Sequence, residues 1–122
     1  MFTQTIRESP RNERGGQASS LLLSKGQFGS ANLSITWVEG ETGSEQQLHA
    51  HPTNEQVYVI VRGRGLMTVE GEGQEVRAGT MIFIPPGMHH AIRNIGAVRL
   101  VYVSATSPPF DLPRAGSEFE YR

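Results

Sequence analysis

Apolar and polar positions alternate along this chain in short bursts, and the bursts are separated by glycine and proline. Leu33-Ser-Ile-Thr-Trp-Val38 alternates almost strictly, as expected of a strand with one face in a core and one in solvent. Gln56–Arg62 is rich in Val, Ile and Tyr and stops at Gly63-Arg-Gly65. Leu66–Glu70 and Gln74–Arg77 flank Gly71-Glu-Gly73, which reads as a hairpin turn. Thr80–Ile84 is a further strand, halted by Pro85-Pro86-Gly87 because proline cannot donate to a ladder. His90–Asn94 and Val98–Ser104 follow, split by Ile95-Gly96-Ala97. No window carries apolar residues at helical spacing with caps. Many short strands at regular spacing predict an all-β sandwich or barrel.

This pattern divides the chain into three parts. Residues 1–20 are polar and read as an N-terminal arm, with one short strand expected at Phe2–Ile6. Residues 21–106 carry the strand series and form the barrel. Residues 107–122 are a tail, opened by Pro108-Pro-Phe-Asp-Leu-Pro113, which cannot continue a strand.

Composition narrows the function classes. A chain of 122 residues makes one domain with a core large enough to stand without a metal or a disulfide. Eleven basic against twelve acidic side chains leave a net charge of -1, which argues against a nucleic-acid or anionic-membrane binder. The absence of cysteine excludes disulfide scaffolds, thiol nucleophiles and iron–sulfur clusters. Residues 1–14 lack the apolar run of a secretory signal, so a cytoplasmic protein is expected. Asp111 in the proline-broken tail is a poor candidate for a Ser–His–Asp triad.

The chemistry gathers at four histidines in two clusters, His49 and His51, then His89 and His90. Spacing of two on an extended segment puts His49 and His51 on one face, where two neutral imidazoles can reach one metal ion. Taken alone, such a pair is more often a solvated strand edge. The adjacent His89 and His90 must point to opposite faces, so one of them at most joins the same site.

Those residues sit in two longer patterns. Gly43-x5-His49-x-His51-x4-Gln56-x6-Gly63 resembles the first cupin motif, and Gly79-x5-Pro85-x-Gly87-x2-His90-x3-Asn94 is similar to the second at every specified position. The resemblance implies a double-stranded β-helix, or jelly-roll barrel. It implies a divalent transition metal (Mn, Fe, Co, Ni, Cu or Zn) held by His49, His51, the motif-one acid position and His90. It also implies a small polar or carboxylate-bearing ligand and a homodimer, which apolar strands and extended termini would suit.

One position departs from the family pattern. The glutamate of the motif is replaced by Gln56 when the spacing to Gly63 is kept, whereas Glu55 fits the shorter spacing from His51. Parity favours Gln56, because residues 56, 58 and 60 share a face that residues 55, 57 and 59 do not. Some small cupins are similar in using glutamine, through its amide oxygen. Three neutral histidines and a neutral amide leave the ion near its full charge of +2, which favours an anionic ligand. Four protein ligands on a six-coordinate ion leave two positions for a bidentate oxygen donor. Tyr58 shares the parity of Gln56 and is either a hydrogen-bond donor to a bound ligand or barrel filling. Trp37, Met67, Met81 and Phe83 are expected in the core or at a dimer contact, and Arg62, Arg64 and Arg93 in solvent. The expected activity is metal-dependent chemistry on a small molecule, of oxygenase, decarboxylase, isomerase or lyase type. The alternatives are a non-catalytic module that binds a small ligand or metal, and a metal-free sugar-binding or isomerase barrel.

Overall fold

The computed structural model describes residues 1–110; Asp111 and the rest of the tail lie outside the described residues. The strands are β1 (Arg11–Arg14), β2 (Gln17–Leu23), β3 (Ser34–Gly40), β4 (Glu55–Arg62), β5 (Arg64–Val69), β6 (Glu72–Arg77), β7 (Met81–Ile84), β8 (His90–Asn94) and β9 (Leu100–Ser107). A six-stranded sheet has the order β1-β2-β3-β9-β4-β7, and a three-stranded sheet the order β6-β5-β8. All the ladders are antiparallel. The only helical turn among the described residues is a 3-10 turn at Gln27–Gly29. No helix among them is long and apolar enough to cross a membrane.

The two sheets face each other across one core. Val38, Tyr58, Ile60, Ile84, Leu100 and Tyr102 from the large sheet meet Met67, Val76 and Ile92 from the small one. Each is buried, and together they supply most of the hydrophobic stabilisation that a jelly-roll sandwich needs. Gly63 closes the turn between β4 and β5 at a φ of 88°, where a Cβ would lie 2.6 Å from the Arg99 carbonyl oxygen. That crowding explains why the first motif ends on glycine.

Two local readings change. No strand forms at Phe2–Ile6. Instead β1 and β2 make a hairpin through Gly15-Gly16, both at positive φ, in the two-residue turn that suits twisted strands. The β5–β6 turn falls on Glu70-Gly71, since Val69 pairs with Glu72. It lies one residue earlier than the glycine spacing suggests.

Strand register sets the inner face of the large sheet in rows. Ser34, Thr106, Gln56 and Ile84 form one row, and Thr36, Ser104, Tyr58 and Ile82 the next. Beyond them come Asn12, Ser19, Val38, Tyr102 and Ile60, then Arg14, Gln17, Gly40 and Leu100. The inner face is therefore apolar towards Ile60 and Leu100 and polar towards Gln56 and the β1–β2 hairpin. A cavity of about 530 Å³ opens over the polar part.

Candidate metal centre

The two motifs are stitched together by backbone bonds. His49 and His90 exchange N–H···O bonds of 3.1 and 2.8 Å, and Gly87 donates to the His51 carbonyl at 2.8 Å. The loop before β4 is thus fastened across the start of β8. Three imidazoles converge there, with ring centroids 4.2 to 5.7 Å apart. One ligand nitrogen from each of His49, His51 and His90 lies within 4.8 Å of the other two, close enough for one ion.

The imidazoles are also oriented. His49 Nδ1 contacts the Gln47 carbonyl at 2.8 Å, and His90 Nδ1 the Met88 carbonyl at 2.9 Å. A carbonyl can only accept, so each Nδ1 carries the proton and each Nε2 keeps its lone pair. His90 Nε2 is buried with no hydrogen-bond partner among the described residues. Burial first, then the charges of His49 and His90, lowers the His51 pKa to about 4. Burial also lowers that of His90, against the opposing pull of the Met88 carbonyl. At neutral pH both rings are neutral, which is the form a metal requires.

Gln56 points inward and is 4% exposed, whereas Glu55 is exposed on the outer face opposite Ser107. The Gln56 amide nitrogen donates to Ser104 Oγ at 3.2 Å and Thr106 Oγ1 at 3.1 Å. Those two bonds fix which way the amide faces. They leave Oε1 buried, with no partner among the described residues, in the wall of the cavity that His49 and His51 also line. A buried acceptor normally has a donor, so Gln56 Oε1 and His90 Nε2 are both atoms that a cation would satisfy. The donor set, imidazole nitrogens and an amide oxygen, fits a divalent transition metal.

The other expected residues divide by position. Tyr58 is buried, lines the cavity, and accepts a hydrogen bond from Gln46 Nε2 at 3.3 Å. Its ring stacks on Tyr102, with centroids 4.7 Å apart, and stands edge-on to His90. His89 is turned outward and pairs with Glu70 at 3.1 Å, away from the cluster. Asn94, the last residue of the second motif, bonds to the Gly40, Glu41 and Val98 carbonyls and holds the loop before the histidines. Arg62, Arg64 and Arg93 are exposed, and Met67 lies in the core. The sequence reading missed the cavity wall made by Asn12, Arg14, Gln17 and Ser19. The Gly15-Gly16 pair was the one local signal that could have revealed it.

Comparison with known proteins agrees with this geometry. The family described as Cupin_2, cupin domain, matches residues 36–105. The chain belongs to the cupin family. An uncharacterized protein of Methanocaldococcus jannaschii is 47% identical to this cupin over 68 residues, which are 56% of this chain and 54% of that one. The chain thus spans about half the length of that relative. An oxalate-binding protein of Thermotoga maritima is 28% identical over 96 residues, 76% of this cupin and 79% of the relative. Among solved structures, a predicted oxalate decarboxylase from Thermotoga maritima superposes with a TM-score of 0.78 at 21% identity, covering 87% of this cupin and 98% of that chain. That likeness shows the fold, a double-stranded β-helix.

Proposed function

We propose that this cupin holds a divalent transition metal through His49, His51, His90 and Gln56 and acts with it on a small carboxylate-bearing molecule. The observation that carries this reading is a pair of buried polar atoms with no partner among the described residues: His90 Nε2 in the three-imidazole cluster, and Gln56 Oε1 in the wall of the cavity that His49 and His51 line. When bound, the metal supplies Lewis acidity to an oxygen of the substrate. The chain itself orients the donors through the Gln47 and Met88 carbonyls and the Ser104 and Thr106 hydroxyls. Tyr58 presents its hydroxyl to the cavity and positions a bound ligand by hydrogen bonding. Oxalate, which names the Thermotoga relative, is the natural first ligand to try. Alanine at both His49 and His51 should abolish metal binding and leave the strand circular-dichroism spectrum unchanged, since neither residue is in the apolar core. Unchanged metal content by elemental analysis in that variant would refute the site.

The same chain is proposed to pair with a second copy through the outer face of its large sheet. Val57 and Phe83 are cross-strand partners there, as are Val59 and Met81, and the ladder carries these rows on to Ala105 with Ile35 and Val103 with Trp37. Val59, Met81 and Phe83 are 41%, 59% and 49% exposed, and neither row carries a charged residue on β3, β9, β4 or β7. The small sheet instead turns Arg64, Glu75, Arg77 and Arg93 outward, so among the described residues the large sheet is the one that offers an apolar face. Met81→Glu combined with Phe83→Glu should convert a dimer into a folded monomer in sedimentation. A wild-type chain that sediments as a monomer at micromolar concentration contradicts the pairing.

A further inference from the structure

The cavity extends well beyond the histidines, and its far wall has a different chemistry. The β1–β2 hairpin contributes Asn12, Arg14, Gln17 and Ser19 to the lining. Among the described residues, Arg14 is the only lysine or arginine of the lining, and it has no ion-pair partner there, unlike Arg11, Arg64, Arg77 and Arg99. Beside it on the neighbouring strand, Gln17 Nε2 is a buried donor with no acceptor among the described residues. An unpaired cation and an orphaned N–H on one wall are what an anionic oxygen group would satisfy. The hairpin is also held in place. Glu41 N–H donates to the Gly16 carbonyl at 2.9 Å, fastening the turn to the loop that leads to His49.

The offset between the Arg14 row and the Gln56 row sets what can use both ends. The Arg14 row meets β9 at Leu100 and the Gln56 row at Thr106, six residues apart. At the rise of an extended strand that is an offset of roughly 20 Å along the strand direction. A two-carbon acid at the metal end would not reach the hairpin.

We infer that Arg14, with Gln17 beside it, forms a second subsite that binds an anionic group, carboxylate or phosphate, at the far end of an elongated substrate chelated at the other end. The inference rests on the metal-centre reading for the chelated end only. It makes Arg14 a specificity-determining residue: it selects long dianions over short ones and over monoanions of the same length.

The test uses the metal-loaded protein and its metal-free form, with calorimetry as the readout. The probes are oxalate and 2-oxo dicarboxylates of increasing length (2-oxoglutarate, 2-oxosuberate, 2-oxododecanedioate, 2-oxohexadecanedioate), each 2-oxo acid paired with its monocarboxylate analogue. Wild type should prefer the longer dianions to their monoanionic analogues by about five- to tenfold, the effect of one partly solvated, charge-assisted contact. Arg14→Gln should erase that preference while leaving metal content and oxalate affinity unchanged. Arg14→Lys should restore part of it, because the charge returns without the planar fork. A preference that persists in Arg14→Gln, or a wild type without one at every length, overturns the subsite. Missing metal or missing oxalate binding overturns the metal reading instead, and the dianion preference of the metal-free protein then still decides for or against Arg14.

Discussion

Glutamate at position 56 should tighten metal binding by about 10- to 100-fold and weaken oxalate binding to the loaded protein. The first effect follows from placing a full negative charge where a neutral amide oxygen now stands, against a divalent ion. At an effective dielectric near 20, a charge pair about 4 Å apart is worth about 4 kcal/mol, and desolvation of the carboxylate removes part of that. The site can accommodate the change. Ser104 and Thr106 hydroxyls accept from the amide nitrogen now, and both can rotate to donate to a carboxylate oxygen. The second effect follows from the loss of one unit of positive charge at the centre, which an incoming anion feels directly. Opposite signs from one substitution separate this mechanism from general destabilisation, which would weaken both affinities. Glu55→Gln should do neither, because Glu55 is exposed on the outer face beside Ser107. Metal affinity by competition with a fluorescent chelator and oxalate affinity by calorimetry are the measurements. A silent Gln56→Glu together with metal loss in Glu55→Gln would make Glu55 the fourth ligand.

The parts of this molecule that could be read in the sequence are those where side-chain period and solvent contrast coincide. β3 alternates because Val38 and Thr36 face inward while Trp37 and Ile35 face out, and its limits are recovered to within two residues. The histidine cluster is legible for the same reason: a spacing of two keeps His49 and His51 together, and adjacent residues separate His90 from His89. Parity likewise places Gln56 inward and Glu55 outward. The β1–β2 hairpin fails this test because its inner face is the cavity wall and not the core. Asn12, Arg14, Gln17 and Ser19 are polar where a core strand would be apolar, so the alternation vanishes. Val57–Val61 shows the converse. Tyr58 and Ile60 fill the core while Val57, Val59 and Val61 make the outer face apolar as well, so the run reads as covered on both sides. The residues hardest to read are the ones that face the cavity or the exposed apolar side of the large sheet, where the contrast between core and solvent is lost.

Acid should release the metal later than three ordinary histidines would allow. Free histidine titrates near 6.5, so an unperturbed site would begin to lose its ion below about pH 6. Here burial holds His51 near 4 and lowers His90 too, so protons compete for those two nitrogens only in more acidic solution. Retention should therefore persist towards pH 5 and collapse as the pH approaches 4. The same shift has a cost in the metal-free protein. The unfolded chain takes up a proton at His51 near pH 6.5, whereas the folded chain resists until about pH 4. Between those values the unfolded state binds more protons, so folding stability falls as the pH falls, and the loss is complete near the lower value. His51→Gln removes that titration and should flatten the decline. Urea midpoints of the metal-free wild type and variant at pH 7, 6, 5 and 4 provide the measurement: the two should diverge in slope across the window. Parallel curves would show that His51 titrates alike in the folded and unfolded chains, and that its burial does not tune the site.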